Sequence, residues 1–369
     1  GGITFGMPAY TKRDSLDTKL CFEVRAKVLY DKLPFAFEMI REVLFASDFS
    51  DKKRIRELIA MQKSRMEESM PSSGHVTASN RALACCSMSH RIGEAVNGIT
   101  FYRFVSELDA HFDDRYEETV TRFKQVCDLL FVKRRVMVDY TSGRDQVDVI
   151  RREAAKFTGD LPEGDAAGER FDLAPFTKNE GFKTSSKIQY VALAGNFRAA
   201  GLPYTGALRL LKVLLGYDYL WNRVRVLGGA YGCMCGFRYT GAAFFTSYRD
   251  PNLKKTLDVY REAADYLRTY EPDERDLTKS IIGTIADLDA PLTPQVKGVR
   301  SMSAYLCGMT DADAQKERDE VLSVNAEKIH ELADYLDAMI RDDHICVVGN
   351  EEAVEEEKEL FDTVENLIQ

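Results

Sequence analysis

An α+β fold built as two repeated domains, each a largely antiparallel sheet packed against several helices, is what this sequence predicts. Its 369 residues exceed what one hydrophobic core usually organises, and 45% hydrophobic content suffices for two. Strand-like runs flank long helix-periodic stretches in both parts of the chain. Between the parts lies Gly159–Gly168 (GDLPEGDAAG), rich in Gly, Pro and acid and without periodicity. The expected division is therefore residues 1–160, a linker at 161–170, and residues 171–369.

The opening Gly1–Phe5 (GGITF) reads as the interior of a strand, and a processed or excised fragment is expected from it. Thr18–Tyr30 (TKLCFEVRAKVLY) has strand character. A long helical region is expected from Pro34 to about Leu130, broken near Asp48–Asp51, Met70–Gly74 and Asn97–Gly98, where turn residues interrupt the period. Lys133–Tyr140 (KRRVMVDY) reads as a strand, followed by a turn at Thr141–Gly143 and a helix from Arg144 to about Phe157.

In the second part, Ser186–Ala194 (SKIQYVALA) reads as a strand and Tyr204–Tyr219 as a helix whose Leu208, Leu211 and Leu215 share a face. A hairpin fits Tyr231–Phe237 and Ala242–Tyr248, turning at Tyr239–Gly241. Asp250 and Pro251 supply an N-cap and a first-turn proline for a helix with Leu253, Leu257, Tyr260, Ala264 and Leu267 at helical spacing. Helices continue to about Arg341. His344–Val348 is a strand, and Glu351 to Leu367 reads as an acidic helix, an ending that mirrors Val136–Phe157.

The formal charge of −9, with acids spread along the chain apart from a cluster near Glu351–Glu359, argues against nucleic acid or anionic membrane as the main partner. No run approaches the roughly 20 apolar residues that span a bilayer, and the start lacks a signal-peptide pattern. The eight cysteines, at 21, 85, 86, 127, 233, 235, 307 and 346, have no framework spacing and read as reduced and mostly buried. An intracellular compartment is expected, the bacterial cytoplasm or alternatively an organelle matrix.

The five histidines, His75, His90, His111, His330 and His344, include no H-E-x-x-H or H-x-x-E-H spacing, so no metal site is expected in this chain. His90 and Glu94 form an i,i+4 pair that offers two ligands, but a helix-face hydrogen bond or ion pair is far commoner. G-x-S-x-G, P-loop and G-x-G-x-x-G patterns are also lacking. The segment that asks for an explanation is Arg223–Gly232 (RVRVLGGAYG), where polar side chains flank two glycines just before a strand-like run. A plain turn with solvated arginines is one reading. The other is peptide handling: bare glycines admit a second backbone, and an arginine and a tyrosine donate to a peptide carbonyl or an oxyanion.

Arg225, Gly228–Gly232 (GGAYG), Ser247–Asn252 (SYRDPN), Thr256–Tyr260 (TLDVY) and Ile281–Asp289 (IIGTIADLD) together resemble the presequence-protease branch of the pitrilysin/insulinase-type metallopeptidases. That resemblance implies four related α+β domains in two halves that close around unstructured peptides, with this chain supplying domains three and four. It implies zinc bound by an H-x-x-E-H motif in the N-terminal half, which is this chain's expected partner, and no peptidase activity in this chain alone. It assigns Arg225 and Tyr231 to substrate orientation and transition-state stabilisation, with Gly228, Gly229 and Arg223 as weaker substrate-binding candidates. The alternatives are a non-catalytic homologue acting as a structural or peptide-binding partner, and an unrelated module that binds peptides by strand addition.

Overall fold

The structure is a computed structural model that describes residues 2–164, 173, 174, 176 and 178–368. The expected linker therefore lies outside the described residues from 165 onward.

The first region opens with four short strands, β1 (Gly2–Gly6), β2 (Ala9–Thr11), β3 (Thr18–Leu20) and β4 (Glu23–Lys27). They form two separate antiparallel pairs, β1 with β4 and β2 with β3. The single strand expected over Thr18–Tyr30 is thus divided at Cys21 and Phe22, where the Cys21 N–H turns aside to the Pro8 carbonyl. Six helices follow: α1 (Leu33–Phe45), α2 (Lys52–Ser72), α3 (Gly74–Ala84), α4 (Met88–Asn97), α5 (Ile99–Ala110) and α6 (Phe112–Leu130). Three of the breaks fall where the turn residues placed them, and two more, at residues 85–87 and at His111, interrupt stretches whose spacing reads as continuous helix. Asp51 caps α2 through the Arg54 N–H, and Gly98 separates α4 from α5.

Lys133–Tyr140 is not a strand. A 3₁₀ turn occupies Lys133–Arg135 and the Lys133 N–H bonds the Pro162 carbonyl, so no neighbouring strand shares a ladder with this run among the described residues. α7 (Val147–Gly159) then packs on α1.

The second region is organised by a six-stranded sheet. Its strands are β5 (Glu180–Thr184), β6 (Tyr190–Asn196), β7 (Gly232–Phe237), β8 (Ala242–Tyr248), β9 (His344–Asn350) and β10 (Thr363–Asn366), in the order β10-β5-β9-β6-β8-β7. The β9-β6-β8-β7 part is antiparallel, whereas β10, β5 and β9 are parallel neighbours. The mixed helix-and-sheet class is as expected. The acidic helix at the end is only α16 (Glu351–Glu356), followed by a 3₁₀ turn and then β10. Glutamates at Glu351, Glu352, Glu355, Glu356 and Glu359 set like charges one turn apart, which disfavours a longer helix. That ending accordingly does not mirror Val136–Phe157.

Both faces of the central strands are buried. On one side α8 (Ala207–Leu214), α9 (Lys254–Arg261), α10 (Ala263–Arg268), α14 (Ala326–Glu331) and α15 (Ala333–Asp342) bring Leu208, Leu211, Leu257, Leu267 and Leu336 onto Val191, Leu193, Phe245 and Ile345. On the other, Ala78, Ala82 and Leu83 of α3 pack with Phe182, Tyr190, Ala192 and Val348. The remaining helices, α11 (Glu274–Leu288), α12 (Pro294–Cys307) and α13 (Asp311–Leu322), lie outside this layer. α9 begins at Lys254, not at Pro251. Asp250 does not cap it in the simple sense; its side chain is fully buried and accepts from the Asn252 N–H at 2.9 Å and the Thr256 hydroxyl at 2.7 Å.

One buried cation joins α3 to the sheet. Arg81 donates to Glu180 of β5 at 2.8 Å through Nη2 and to Glu94 of α4 at 2.9 Å through Nη1. Two carboxylates share this one guanidinium, and burial raises the Glu94 carboxyl above its ordinary value despite Arg81. Removing Arg81 strands both charges, and loss of one partner from a buried pair costs roughly 3–5 kcal/mol. Arg81→Ala is expected to lower unfolding free energy by about that much in urea denaturation. A carboxyl raised on folding holds more protons in the native state, so its contribution is full at low pH and is lost as pH rises through the folded value. The stability deficit of Glu94→Gln relative to wild type should accordingly shrink as pH rises from 4 to 8, and a constant deficit would contradict this account of Glu94.

Candidate functional site

The helix expected to end at Tyr219 continues as two π-helical turns, Leu215–Tyr219 and Trp221–Val226. These wider turns keep Tyr219, Leu220 and Val224 in the core, each no more than 1% exposed, and leave Trp221 and Arg225 on the outer side. There the Arg225 guanidinium stacks on the Trp221 ring at 3.9 Å. Single π turns are rare and recur at functional sites.

Gly228 and Gly229 close this helix. Gly229 has φ of +85°, and its N–H bonds the Arg225 carbonyl at 2.8 Å while the Ala230 N–H bonds the Val224 carbonyl at 3.1 Å. A side chain on Gly228 would stand 2.4 Å from the Val224 oxygen. Ala230 is buried as a plug, and the next N–H, that of Tyr231, is shared between the carbonyls of Tyr248 at 3.1 Å and Arg249 at 3.3 Å. The two glycines thus set the reversal that carries the chain from Arg225 to Tyr231.

The reversal brings the two side chains together. The Arg225 guanidinium lies 5.7 Å from the Tyr231 ring centroid, and the Tyr231 ring meets Tyr248 edge-on at 5.8 Å. Tyr231 is nevertheless 66% exposed. Among the described residues neither its hydroxyl nor the Arg225 guanidinium has a hydrogen-bond or carboxylate partner, so both present free donors. Arg223 belongs elsewhere: it pairs loosely with Glu262 at 3.7 Å and lies over Tyr219.

Several supporting residues escape a reading of the sequence. Asn252 donates to the Gly228 carbonyl at 2.6 Å, and the main chains of Gln189 and Asp250 exchange two hydrogen bonds, so Asp250–Asn252 brace the glycine turn. Tyr248 is backed by His75 of α3, T-shaped at 4.7 Å, and by Tyr190 at 5.8 Å. Burial lowers the His75 imidazole and raises the Tyr190 phenol. Trp221 offered a signal, the chain's one tryptophan standing four residues before Arg225. His75, 173 residues from Tyr248, offered none.

His90 and Glu94 do not act as a ligand pair, because the His90 Nδ1 is 2.8 Å from the Ser87 hydroxyl and Glu94 is held by Arg81. No three His, Cys, Asp or Glu side chains among the described residues are grouped to hold a metal ion. The cysteines of this chain are free thiols, with Cys85, Cys235 and Cys346 buried and the other five half-buried.

Comparison with known proteins places this arrangement. Residues 179–351 match the PreP C-terminal domain, and residues 1–108 match the family associated with the C branch of the M16 peptidases. The chain is a presequence protease-like C-terminal half. It is 35% identical over 369 residues to Protein HypA of Clostridium perfringens, covering all of this chain and 38% of that protein. Presequence protease 1, chloroplastic/mitochondrial, of Arabidopsis thaliana is 31% identical over 326 residues, covering 88% of this chain and 30% of its own length. The chain thus spans about a third of the length of these relatives. Among solved structures, the peptidase M16 inactive domain from Pseudomonas fluorescens shares the fold, with a TM-score of 0.57 and 16% identity over 95% of this chain and 81% of that one. The match over residues 1–108 relates the presequence protease-like chain to the M16 peptidases, and the likeness to the Pseudomonas domain shows the shared fold.

The glycine reversal yields a prediction. Forcing a side chain into the left-handed region costs about 1–2 kcal/mol, so Gly229→Ala should lose about that much in urea unfolding. Gly228→Ala should lose more, because its methyl meets backbone and the helix must move. An ordering in which Gly229→Ala is the more damaging would show that the clash at Val224 is relieved cheaply.

Proposed function

We propose that this chain is the non-zinc-binding half of a zinc-dependent endopeptidase that degrades unstructured peptides, and that Arg225 and Tyr231 are its contribution to the chemistry. The observation that carries the reading is the pair itself. A phenol and a guanidinium are positioned by a rigid reversal, accessible, and without an internal partner for their protons. Held donors aimed at developing negative charge are the economical way to stabilise a tetrahedral oxyanion, since they need no reorganisation when the charge appears. The relatedness to presequence proteases supports this reading.

In this scheme the Tyr231 hydroxyl and the Arg225 guanidinium donate to the substrate carbonyl, more strongly once it bears charge. The glycine turn leaves the approach free of side chains. In this scheme zinc and the water it activates come from the partner half. Stacking on Trp221 orients Arg225 without neutralising it, as a carboxylate would. An intracellular setting, bacterial cytoplasm or organelle matrix, is part of the proposal. Among the described residues no helix is long and apolar enough to cross a membrane.

Hydrolysis of a quenched fluorescent unstructured peptide by this chain, by a half bearing the zinc motif, and by the two mixed is the test. Activity is expected only in the mixture and should vanish on chelation. Within the assembled enzyme, Tyr231→Phe should lower kcat about a hundredfold to a thousandfold with little change in KM. Its Tm should stay that of wild type, because the lost hydroxyl bonds nothing in the fold. Silence in a mixture shown to associate would favour a non-catalytic peptide-binding partner instead.

A further inference from the structure

Beside Tyr231 stands a residue that the scheme above does not use. Arg249 has φ of +50°, in the left-handed region that favours glycine, at the bulge where its carbonyl and that of Tyr248 share the Tyr231 N–H. A long, β-substituted side chain in this conformation is strained, and such strain concentrates at functional positions. Its guanidinium lies 5.5 Å from the Tyr248 ring centroid, and its charge and a hydrogen bond to the Tyr190 phenol oppose the upward shift that burial gives that phenol, leaving its other donors for a second partner. Arg249 is exposed, and no carboxylate pairs with it among the described residues.

The contacts form a row. Arg225 borders the Tyr231 ring, Tyr231 meets Tyr248 edge-on, and Arg249 borders Tyr248. Two guanidiniums held by aromatic rings therefore bracket one pair of tyrosines, and neither is neutralised. This is a local excess of positive charge on a chain whose formal charge is −9. A stacked arginine keeps its planar fork of donors for a second partner, and the partner that matches that fork is a carboxylate. If Arg225 and Tyr231 take the scissile carbonyl, Arg249 is one tyrosine pair away, within reach of a neighbouring group on the same extended peptide.

The geometry points to Arg249 as a specificity-determining residue that binds a carboxylate of the peptide substrate, either an acidic side chain or the C-terminal carboxylate. This rests on the peptide-handling reading of the site and adds the class of peptide it selects. The fixed ring support, rather than a flexible ion pair, places the fork at a defined distance from Tyr231, so the preference belongs to one position along the peptide and not to net charge. His75 and Tyr190 act behind it, as positioning residues that hold Tyr248.

The test uses the full-length enzyme and a set of labelled unstructured peptides. One arm walks a Glu or a Gln along an otherwise constant sequence, and the other compares a C-terminal acid with its amide. Binding is read by anisotropy with the chelated enzyme, and kcat/KM with the zinc-loaded enzyme. Wild type should favour one acidic form by about tenfold in Kd, the size of one charge-assisted hydrogen bond. Arg249→Gln should erase that preference, bringing Kd and kcat/KM of the acidic peptide to those of its neutral counterpart in the same variant, and Arg249→Lys should restore part of it. Arg249→Gly, which accepts the left-handed backbone, should fold normally and behave like the Gln variant. The arm in which the preference appears identifies the carboxylate.

A wild type that binds and cuts these peptides with no acidic preference, or a preference that survives Arg249→Gln, overturns the assignment and leaves the peptidase reading intact. Acid-selective binding without cleavage would do the reverse. An absence of binding to every peptide would overturn both.

Discussion

The double burial of the central strands is the constraint on which the rest of this structure depends. Val191, Ala192, Leu193 and Ala194 of β6 are fully buried, so helical layers must cover both faces of the sheet. One layer comes from α8, α9, α10, α14 and α15, but the other is α3, from the opposite side of the linker in sequence. Covering the second face brings Glu180 against helices, where an unpaired carboxylate would be costly, and Arg81 answers that cost by serving Glu180 and Glu94 together. The same packing seats His75, one residue into α3, behind Tyr248. The position of the candidate site is therefore set partly by a helix that contributes no donor to it.

A second constraint acts locally. The helix after α8 has to keep its apolar side in the core and still deliver Arg225 to the surface beside β7. Two π turns meet that need, at the expense of regular hydrogen bonding, and the double glycine reverses the chain within the span from Leu227 to Ala230. Both departures from ideal geometry, and the left-handed Arg249, lie close to Tyr231 in space or in sequence. Regular structure elsewhere in the sheet, with its paired ladders and buried aliphatic side chains, supplies the stability against which such local costs are small.

What could be read from the sequence divides along the range of the interactions. The helix breaks at Asp51, Ser73 and Gly98, the hairpin turning at Gly241 and the strand at His344 depend on nearby residues, and they stand where periodicity and turn chemistry put them. Lys133–Tyr140 has strand composition but no ladder partner among the described residues, whereas β5 finds a parallel edge on β9 and β10 in turn a parallel edge on β5. Such facts are tertiary. The site followed the same division. Arg225, Gly228, Gly229 and Tyr231 were legible as one short segment with Arg223 as a weaker candidate, and only the helix shows that the two arginines meet different partners. Tyr248 and Arg249 were visible as neighbours in a motif, but a positive φ and a ring contact across two strands leave no mark on composition or spacing.

The choice of aromatic rings over carboxylates as supports bears on what the site can do. Of the arginines in this chain, Arg261, Arg268 and Arg318 are held by aspartates, which fix them and cancel their charge. Arg225 is held by Trp221 and Tyr231 instead, and Arg249 by Tyr248 and the Tyr190 phenol. A ring restricts a guanidinium to a plane while leaving its edge donors and its full charge available. It also costs less to desolvate when a second molecule closes over it, because no ion pair has to be broken first. Around Tyr231, then, the fold restrains its donors by packing and leaves Arg225 and the Tyr231 hydroxyl without an internal acceptor among the described residues, while Arg249 keeps its charge and shares only the Tyr190 phenol.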